Sequence, residues 1–264
     1  MKEIICIGTS YTEGGGLYEP IVKEYYKKQN IIYDKQSEVA WPSHLSKLSK
    51  IKVRNLGKCG SGIDYLIRNV EEIIENEDVS NKLFILEYSG WGRTELWDSK
   101  KNQYIVTNWG PRDGKDPKNE GYSVMMTTNY TYGTQLEPTE FKLWEKFLDN
   151  HFNEIDFLIN RDKQFINLLY KLVSKNINFL VIYLENPFWM GIYDEPVIIN
   201  NSLFMTENNS KVSYGQPHGI STFVSNKGER IIDILKDTND YHPNIKGHES
   251  IALEIYNKIK NKLQ

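Results

Sequence analysis

The stretch KEIICIGTSYTEGGG, Lys2–Gly16, sets the fold class of this chain. Lys2 to Ile7 is a short β-branched, apolar run closed by Gly8, which suits a buried parallel strand better than an amphipathic helix. The Gly14-Gly15-Gly16 run blocks immediate regular structure, and Tyr18 to Lys28 then carries Ile21, Val22, Tyr25 and Tyr26 at helical spacing. The same step recurs further on. Ile51 to Asn55 reads as a second strand, ended by Leu56-Gly57 and Gly60-Ser61-Gly62. Ile63, Leu66, Ile67, Val70, Ile73 and Ile74 then mark one face of a helix. Leu83 to Tyr88 and Ile177 to Leu184 are a third and a fourth apolar run, the latter preceded by a helical pattern from about Glu140 through Val173. Strands alternating with helices predict an α/β fold with a doubly wound parallel sheet of about five strands.

Two stretches break this rhythm. Trp97 to Pro138 is rich in Asn, Gly, Asp, Thr and Tyr without a sustained period and reads as an irregular insertion covering one end of the sheet. Residues 186–227, with Pro187, Pro196 and Pro217, form the second, which leaves Ile231 to Leu235 as the expected fifth strand. Beyond Pro243, the face made by Ile251, Ala252, Ile255, Tyr256, Ile259 and Leu263 predicts a closing amphipathic helix. No Pro/Gly/Ser-rich linker divides the 264 residues, so one domain is expected over 1–264.

Composition narrows the class of protein. Hydrophobic residues at 39% and charged residues at 25% are ordinary for a soluble globular chain, which argues against disorder. No apolar run approaches the roughly 20 residues that span a bilayer, so no membrane partner is expected. The net charge of −3, with basic residues scattered among acidic ones, gives no footprint for nucleic acid. Ile4-Ile5-Cys6-Ile7 is too short for a signal-peptide core, and a cytoplasmic location is expected. Cys6 and Cys59 read as reduced, structural thiols. No cofactor is called for: Gly14 to Gly16 lacks the Lys-Ser/Thr of a phosphate loop. His248, six residues past His242, does not give the spacing of helical metal ligands. His44 and His151 read as surface or interface residues.

Ligand sites of open α/β sheets lie beyond the carboxyl ends of the strands, where loops and helix N-termini with free backbone donors collect. Three loops carry chemistry there. Gly8-Thr9-Ser10 puts a hydroxyl just past the first strand, a candidate nucleophile or simply a turn. Asn55-Leu56-Gly57-Lys58-Cys59-Gly60-Ser61-Gly62 follows the second strand and opens a helix, so the Gly60 amide can face developing negative charge, or Ser61 can cap the helix. Asn239-Asp240-Tyr241-His242-Pro243-Asn244, with Gly247-His248, precedes the last helix. An acid shortly before His242 can hold its imidazole in the tautomer that accepts a serine proton.

The order of these blocks resembles the SGNH (GDSL-type) hydrolase family: a Ser loop, then Asn-x-Gly-x-x-Gly, then Asp-x-His-Pro-Asn-x-x-Gly-His. The resemblance runs from the first strand to the last helix. It implies a three-layer α/β/α, flavodoxin-like fold, with Ser10 as nucleophile, His242 as base, Asp240 orienting it, and the amides of Ser10 and Gly60 as oxyanion donors. Three departures stand out: the family's acid usually lies three residues before the histidine, where this chain has Asn239, while Asp240 lies two before it. Thr9 replaces the acid of the family's Gly-Asp-Ser, and Trp91 falls where its oxyanion Asn is expected after the third strand. Losing such a donor typically removes about 2.7 to 4 kcal/mol of transition-state stabilisation. Arg93 could replace it, or hold an anionic substrate, or pair structurally with Glu95 or another acid. Trp91, Trp97 and Trp109 could stack on a sugar ring or pack in a core or lid.

The function expected on this resemblance is a serine ester hydrolase, an esterase or deacetylase acting on an acylated small molecule or carbohydrate. Two other functions compete with it: an acyltransferase that passes the same acyl-serine to a glycan hydroxyl, and a non-catalytic carbohydrate- or protein-binding module.

Overall fold

The computed structural model describes residues 1–89, 93–98, 103–111, 122–128, 142–143, 146, 150, 154–184, 196–203 and 219–263. Along the chain run β1 (Glu3–Gly8), α1 (Ser10–Glu13), α2 (Pro20–Lys27), α3 (Trp41–Ser49), β2 (Lys52–Gly57), α4 (Ile63–Asn76) and β3 (Lys82–Tyr88). Then come β4 (Arg93–Asp98), β5 (Gln103–Pro111), β6 (Tyr122–Thr128), α5 (Glu154–Ser174), β7 (Asn178–Tyr183), α6 (Pro196–Asn201) and β8 (Ser202–Leu203). The chain closes through α7 (Ile220–Asn226), α8 (Ile231–Ile234) and α9 (Ile245–Ile259).

Five strands form one parallel sheet in the order β2-β1-β3-β7-β8. Alternation along each strand builds the two faces, because successive side chains point to opposite sides. Ile5, Ile7, Phe84, Leu86, Phe179 and Val181 pack with α4 and α5 on one side. Ile4, Cys6, Leu83, Ile85, Leu180 and Ile182 pack with α3, α7 and α9 on the other. The result is a three-layer α/β/α fold. Ile63, Leu66, Val70 and Ile73 of α4 are all buried, each contributing roughly 1.5 to 3 kcal/mol through removal from water.

This strand order reverses direction between β1 and β3, the switch point where the crevice above a flavodoxin-like sheet opens. β1 and β2 end level, with Gly8 opposite Gly57, so the loops after them begin side by side. Among the described residues, no helix is long and apolar enough to cross a membrane.

Two sequence expectations need correction. The fifth strand is Ser202–Leu203, inside the stretch read as irregular, and the expected strand at Ile231–Leu235 is instead the helical turn α8. Four apolar residues cannot specify either period. Here the Asp233 carboxylate decides, accepting from the Arg230 amide at 2.9 Å and from its guanidinium at 3.0 Å to start the turn. The stretch from Trp97 to Pro138, expected to lack regular structure, contains most of a three-stranded antiparallel sheet, β4-β5-β6. A register shift between Asn108 and Trp109 interrupts the alternation that would have marked β5 in the sequence.

Candidate active site

Ser10 stands in the first position of α1, two residues beyond β1 and only 4% exposed. Thr9 caps this turn, its hydroxyl accepting from the Tyr11 amide at 3.4 Å. The same threonine is held from below by Glu87 of β3. The Thr9 amide donates to Glu87 Oε1 at 3.2 Å, and the hydroxyls of Thr9 and Thr12 donate to its two carboxylate oxygens. The carboxylate beside the serine turn thus comes from the neighbouring strand. Burial pushes the Glu87 carboxyl above its ordinary value, partly offset by those three donors. An acid inside the apolar run Leu83 to Tyr88 was the sequence signal for it, since unpaired carboxylates are rarely buried.

The other half of the site arrives just before α9. His242 Nε2 lies 2.8 Å from Ser10 Oγ, and His242 Nδ1 lies 2.6 Å from Asp240 Oδ1. With its proton on Nδ1 and donated to Asp240, the imidazole leaves Nε2 as the acceptor for the serine proton. Burial alone would raise the Asp240 carboxyl, but its hydrogen bonds to His242 outweigh this and hold it below its ordinary value. The loop is braced by α8: the Ile231 amide donates to His242 O at 2.8 Å and the Ile232 amide to Asp240 O at 2.9 Å. Asn244 caps α9 by accepting from the Gly247 amide at 3.0 Å. The Tyr11 hydroxyl donates to Tyr241 O at 3.1 Å, and its ring centroid lies 5.2 Å from that of His242.

The glycine run has a geometric role. A Cβ at Gly15 would lie 2.7 Å from Ser10 Cβ and 3.0 Å from His242 Nε2, so only a bare backbone can pass there. Gly16, at φ +79°, likewise runs against Asp240.

The loop after β2 approaches from the other side. Gly60 adopts φ +76°, and among the described residues nothing accepts a hydrogen bond from its amide or from that of Ser10. Ser61 is not the helix cap: its hydroxyl donates to Gly8 O at 2.9 Å, and Gly62 occupies the cap position of α4. Cys6 and Cys59 are both free thiols. Burial, with Glu13 nearby, pushes the Cys59 thiol up, away from the reactive thiolate.

Arg93 does not pair with Glu95, which is held instead by Arg68 at 3.0 Å through both carboxylate oxygens. Arg93 Nη1 makes a long contact of 3.4 Å to Ser61 O, and its backbone carbonyl accepts from Arg161. Among the described residues, no carboxylate lies within ion-pair distance of it. Trp91 lies outside the described residues, as do His151 and the side chains of Trp97 and Trp109. His44, expected as a surface or interface residue, lies part-buried on α3 facing Glu249 of α9, with Nε2 3.2 Å from Val39 O.

Tyr11, Gly15, Tyr18, Cys59, Tyr241 and His242 help line a pocket of about 320 Å³. The strand order and the Ser10–His242–Asp240 line give a flavodoxin-like α/β/α domain that resembles the SGNH hydrolases in fold. No protein-family model matches the chain, and no curated protein matches it significantly. Among solved structures it is similar to the psychrotrophic esterase EstA from Pseudoalteromonas sp., at 13% identity and a TM-score of 0.46, covering 100% of this chain and 99% of that one. A member of the lipolytic protein G-D-S-L family from Veillonella parvula shares 12% identity at a TM-score of 0.43, with 100% of both chains covered. A carbohydrate acetylesterase family member from Sinorhizobium meliloti shares 13% at 0.39, covering 100% of this chain and 99% of that one.

Proposed function

We propose that this chain is a serine ester hydrolase in which Ser10, His242 and Asp240 form the catalytic triad. The observation that carries this reading is the continuous line from Ser10 Oγ through the imidazole to Asp240 Oδ1, with steps of 2.8 and 2.6 Å. A serine hydroxyl is a weak nucleophile until a positioned base takes its proton, and both distances are within reach for that transfer.

His242 removes the proton as Ser10 Oγ bonds to the acyl carbon, and the carbonyl oxygen becomes an oxyanion facing the amides of Ser10 and Gly60. Collapse expels the alcohol, which takes the proton from His242 and leaves an acyl-serine. Water then repeats the sequence: His242 deprotonates it, it bonds to the acyl carbon, and Ser10 leaves with the proton restored. Arg93 supplies a further cationic donor to the oxyanion or to an anionic part of the substrate. The 320 Å³ pocket suits a short acyl ester, and the rings of Tyr11, Tyr18 and Tyr241 suit a sugar as its alcohol.

Reaction with a fluorophosphonate and turnover of an aryl acetate, wild type against Ser10→Ala, test the reading. Ser10-dependent labelling and hydrolysis are expected. A wild-type protein that neither labels nor turns over ester would overturn it, and turnover that appears only with an added sugar acceptor would identify an acyltransferase.

A further inference from the structure

Resting on the reading of Ser10 as nucleophile and Gly60 as oxyanion donor, we propose that Glu13 is a positioning residue that frames the Gly60 amide for the oxyanion by tying down the amide before it. Four successive amides follow β2. That of Lys58 donates to Gly8 O at 2.9 Å, that of Cys59 to Glu13 Oε2 at 2.6 Å, and that of Ser61 to Lys58 O at 3.1 Å. Of these four, only the Gly60 amide has no acceptor among the described residues, so three amides are committed and one is left for substrate.

Glu13 is the member of this set that joins the loop to the nucleophile turn. It ends α1, three residues after Ser10, and its other carboxylate oxygen accepts from Gln36 Nε2 at 3.2 Å, which stops the side chain from swinging away. The two segments touch at Gly57, where a Cβ would lie 2.8 Å from Glu13 Cα. Asn55 Nδ2 adds a bond to Thr12 O at 2.9 Å. The peptide between Cys59 and Gly60 therefore takes its orientation from two ends: the positive φ of Gly60 and the carboxylate on the Cys59 amide. Freed from Glu13, that peptide can rotate and carry the Gly60 N–H out of line, and oxyanion stabilisation depends on donors fixed before the reaction.

Glu13 faces charged and titratable groups from both sides, Lys58 and Cys59 on the loop and His242 opposite. Burial raises its carboxyl above the ordinary value, while the Cys59 amide, Gln36, Lys58 and His242 work in the other direction. Glutamine at this position keeps an oxygen for the Cys59 amide, and Gln36 can turn its own amide to accept from the new nitrogen. Alanine keeps neither.

The test compares Glu13→Ala and Glu13→Gln with wild type in aryl acetate turnover, and follows hydrogen exchange at the Cys59 and Gly60 amides. In Glu13→Ala, kcat falls roughly 10- to 100-fold at nearly unchanged KM, as expected for a displaced donor. Exchange at Cys59 quickens in parallel, and Glu13→Gln recovers most of kcat. Wild-type kcat in Glu13→Ala, or a Glu13→Gln variant as impaired as Glu13→Ala, would overturn the assignment. Turnover that persists in Ser10→Ala instead defeats the hydrolase reading, and amide exchange still reports independently whether Glu13 holds the loop.

Discussion

Asp240 Oδ1 accepts twice from the same residue, from the His242 backbone amide at 2.9 Å and from its imidazole Nδ1 at 2.6 Å. One carboxylate oxygen therefore fixes both the path of the loop and the orientation of the ring. Asn at 240 can still accept from the backbone amide, yet it offers no charge to an imidazolium and can stabilise the wrong tautomer. Asp240→Asn is expected to lower kcat by roughly 10³- to 10⁴-fold with little change in melting temperature. Steady-state kinetics beside a thermal melt check this, and a loss under about tenfold would remove Asp240 from the triad.

Glu87 gives a prediction about stability. Its carboxyl is raised by burial, so between the ordinary glutamate value and the raised one the folded state binds more protons than the unfolded state. Its contribution is full below about 4.3 and is lost as pH rises through the folded value. Glu87→Gln keeps an acceptor for Thr9 and can donate to Thr12, so it should flatten this part of the pH dependence while retaining the fold. Glu87→Ala strands the Thr9 amide and the two hydroxyls, and is expected to destabilise by about 1 to 3 kcal/mol. Denaturant unfolding at several pH values distinguishes the two variants.

The parallel sheet was legible because β1, β3 and β7 are apolar runs of ordinary length, and because β2, with only Val53 and Leu56 apolar, is followed at once by a glycine-rich loop and an amphipathic helix. β8 has two residues, too few to carry a period, and the apolar residues of α8, Ile231, Ile232 and Ile234, are too few to tell a helical turn from a strand. Ser10, Asp240, His242 and Gly60 were readable from the order of their loops. Glu87 left only the signal of an acid inside an apolar run, and Glu13 and the bare backbone at Gly15 and Gly16 left none, because these residues act across the sheet and between loops distant in sequence. Their partners become visible only once β1, β2 and β3 are side by side.

His248 predicts acid sensitivity. It is fully buried, and its Nδ1 accepts from the Trp41 amide at 3.2 Å, so the neutral ring carries its proton on Nε2. A second proton would have to enter at Nδ1, facing another N–H. Burial first, then the charges of His44 and His242, push its pKa down to about 3. Between that value and the unfolded value of about 6.5 the unfolded chain binds the extra proton, so stability falls as pH drops through this window. His248→Leu should remove that slope while costing about 1 to 3 kcal/mol at neutral pH through the stranded Trp41 amide. Unfolding midpoints from pH 3 to 8 read both effects, and an unchanged slope in the variant would locate the acid sensitivity elsewhere.

At Gly15 the main chain passes close to the proposed chemistry. A methyl group there would stand 2.7 Å from Ser10 Cβ, nearer than real Cβ contacts come, and 3.0 Å from His242 Nε2, tighter than nearly all of them. Either the Ser10 turn or the imidazole must yield. The turn is anchored by Glu87 through Thr9 and Thr12, and also by the Gly14 and Gly15 amides, which donate to Ser10 O at 2.9 and 2.6 Å. The imidazole is anchored by Asp240 on one side and, through its own carbonyl, by the Ile231 amide on the other. With both sides held, the displacement falls on the 2.8 Å gap between Ser10 Oγ and His242 Nε2. Gly15→Ala is therefore expected to lower kcat by about 10²-fold, the loss that follows from moving a reacting pair by an ångström. The fluorophosphonate rate should drop with it, because that reaction needs the same activated hydroxyl, while far-ultraviolet circular dichroism stays that of the wild type. Wild-type labelling by Gly15→Ala would mean that Ser10 is activated without His242.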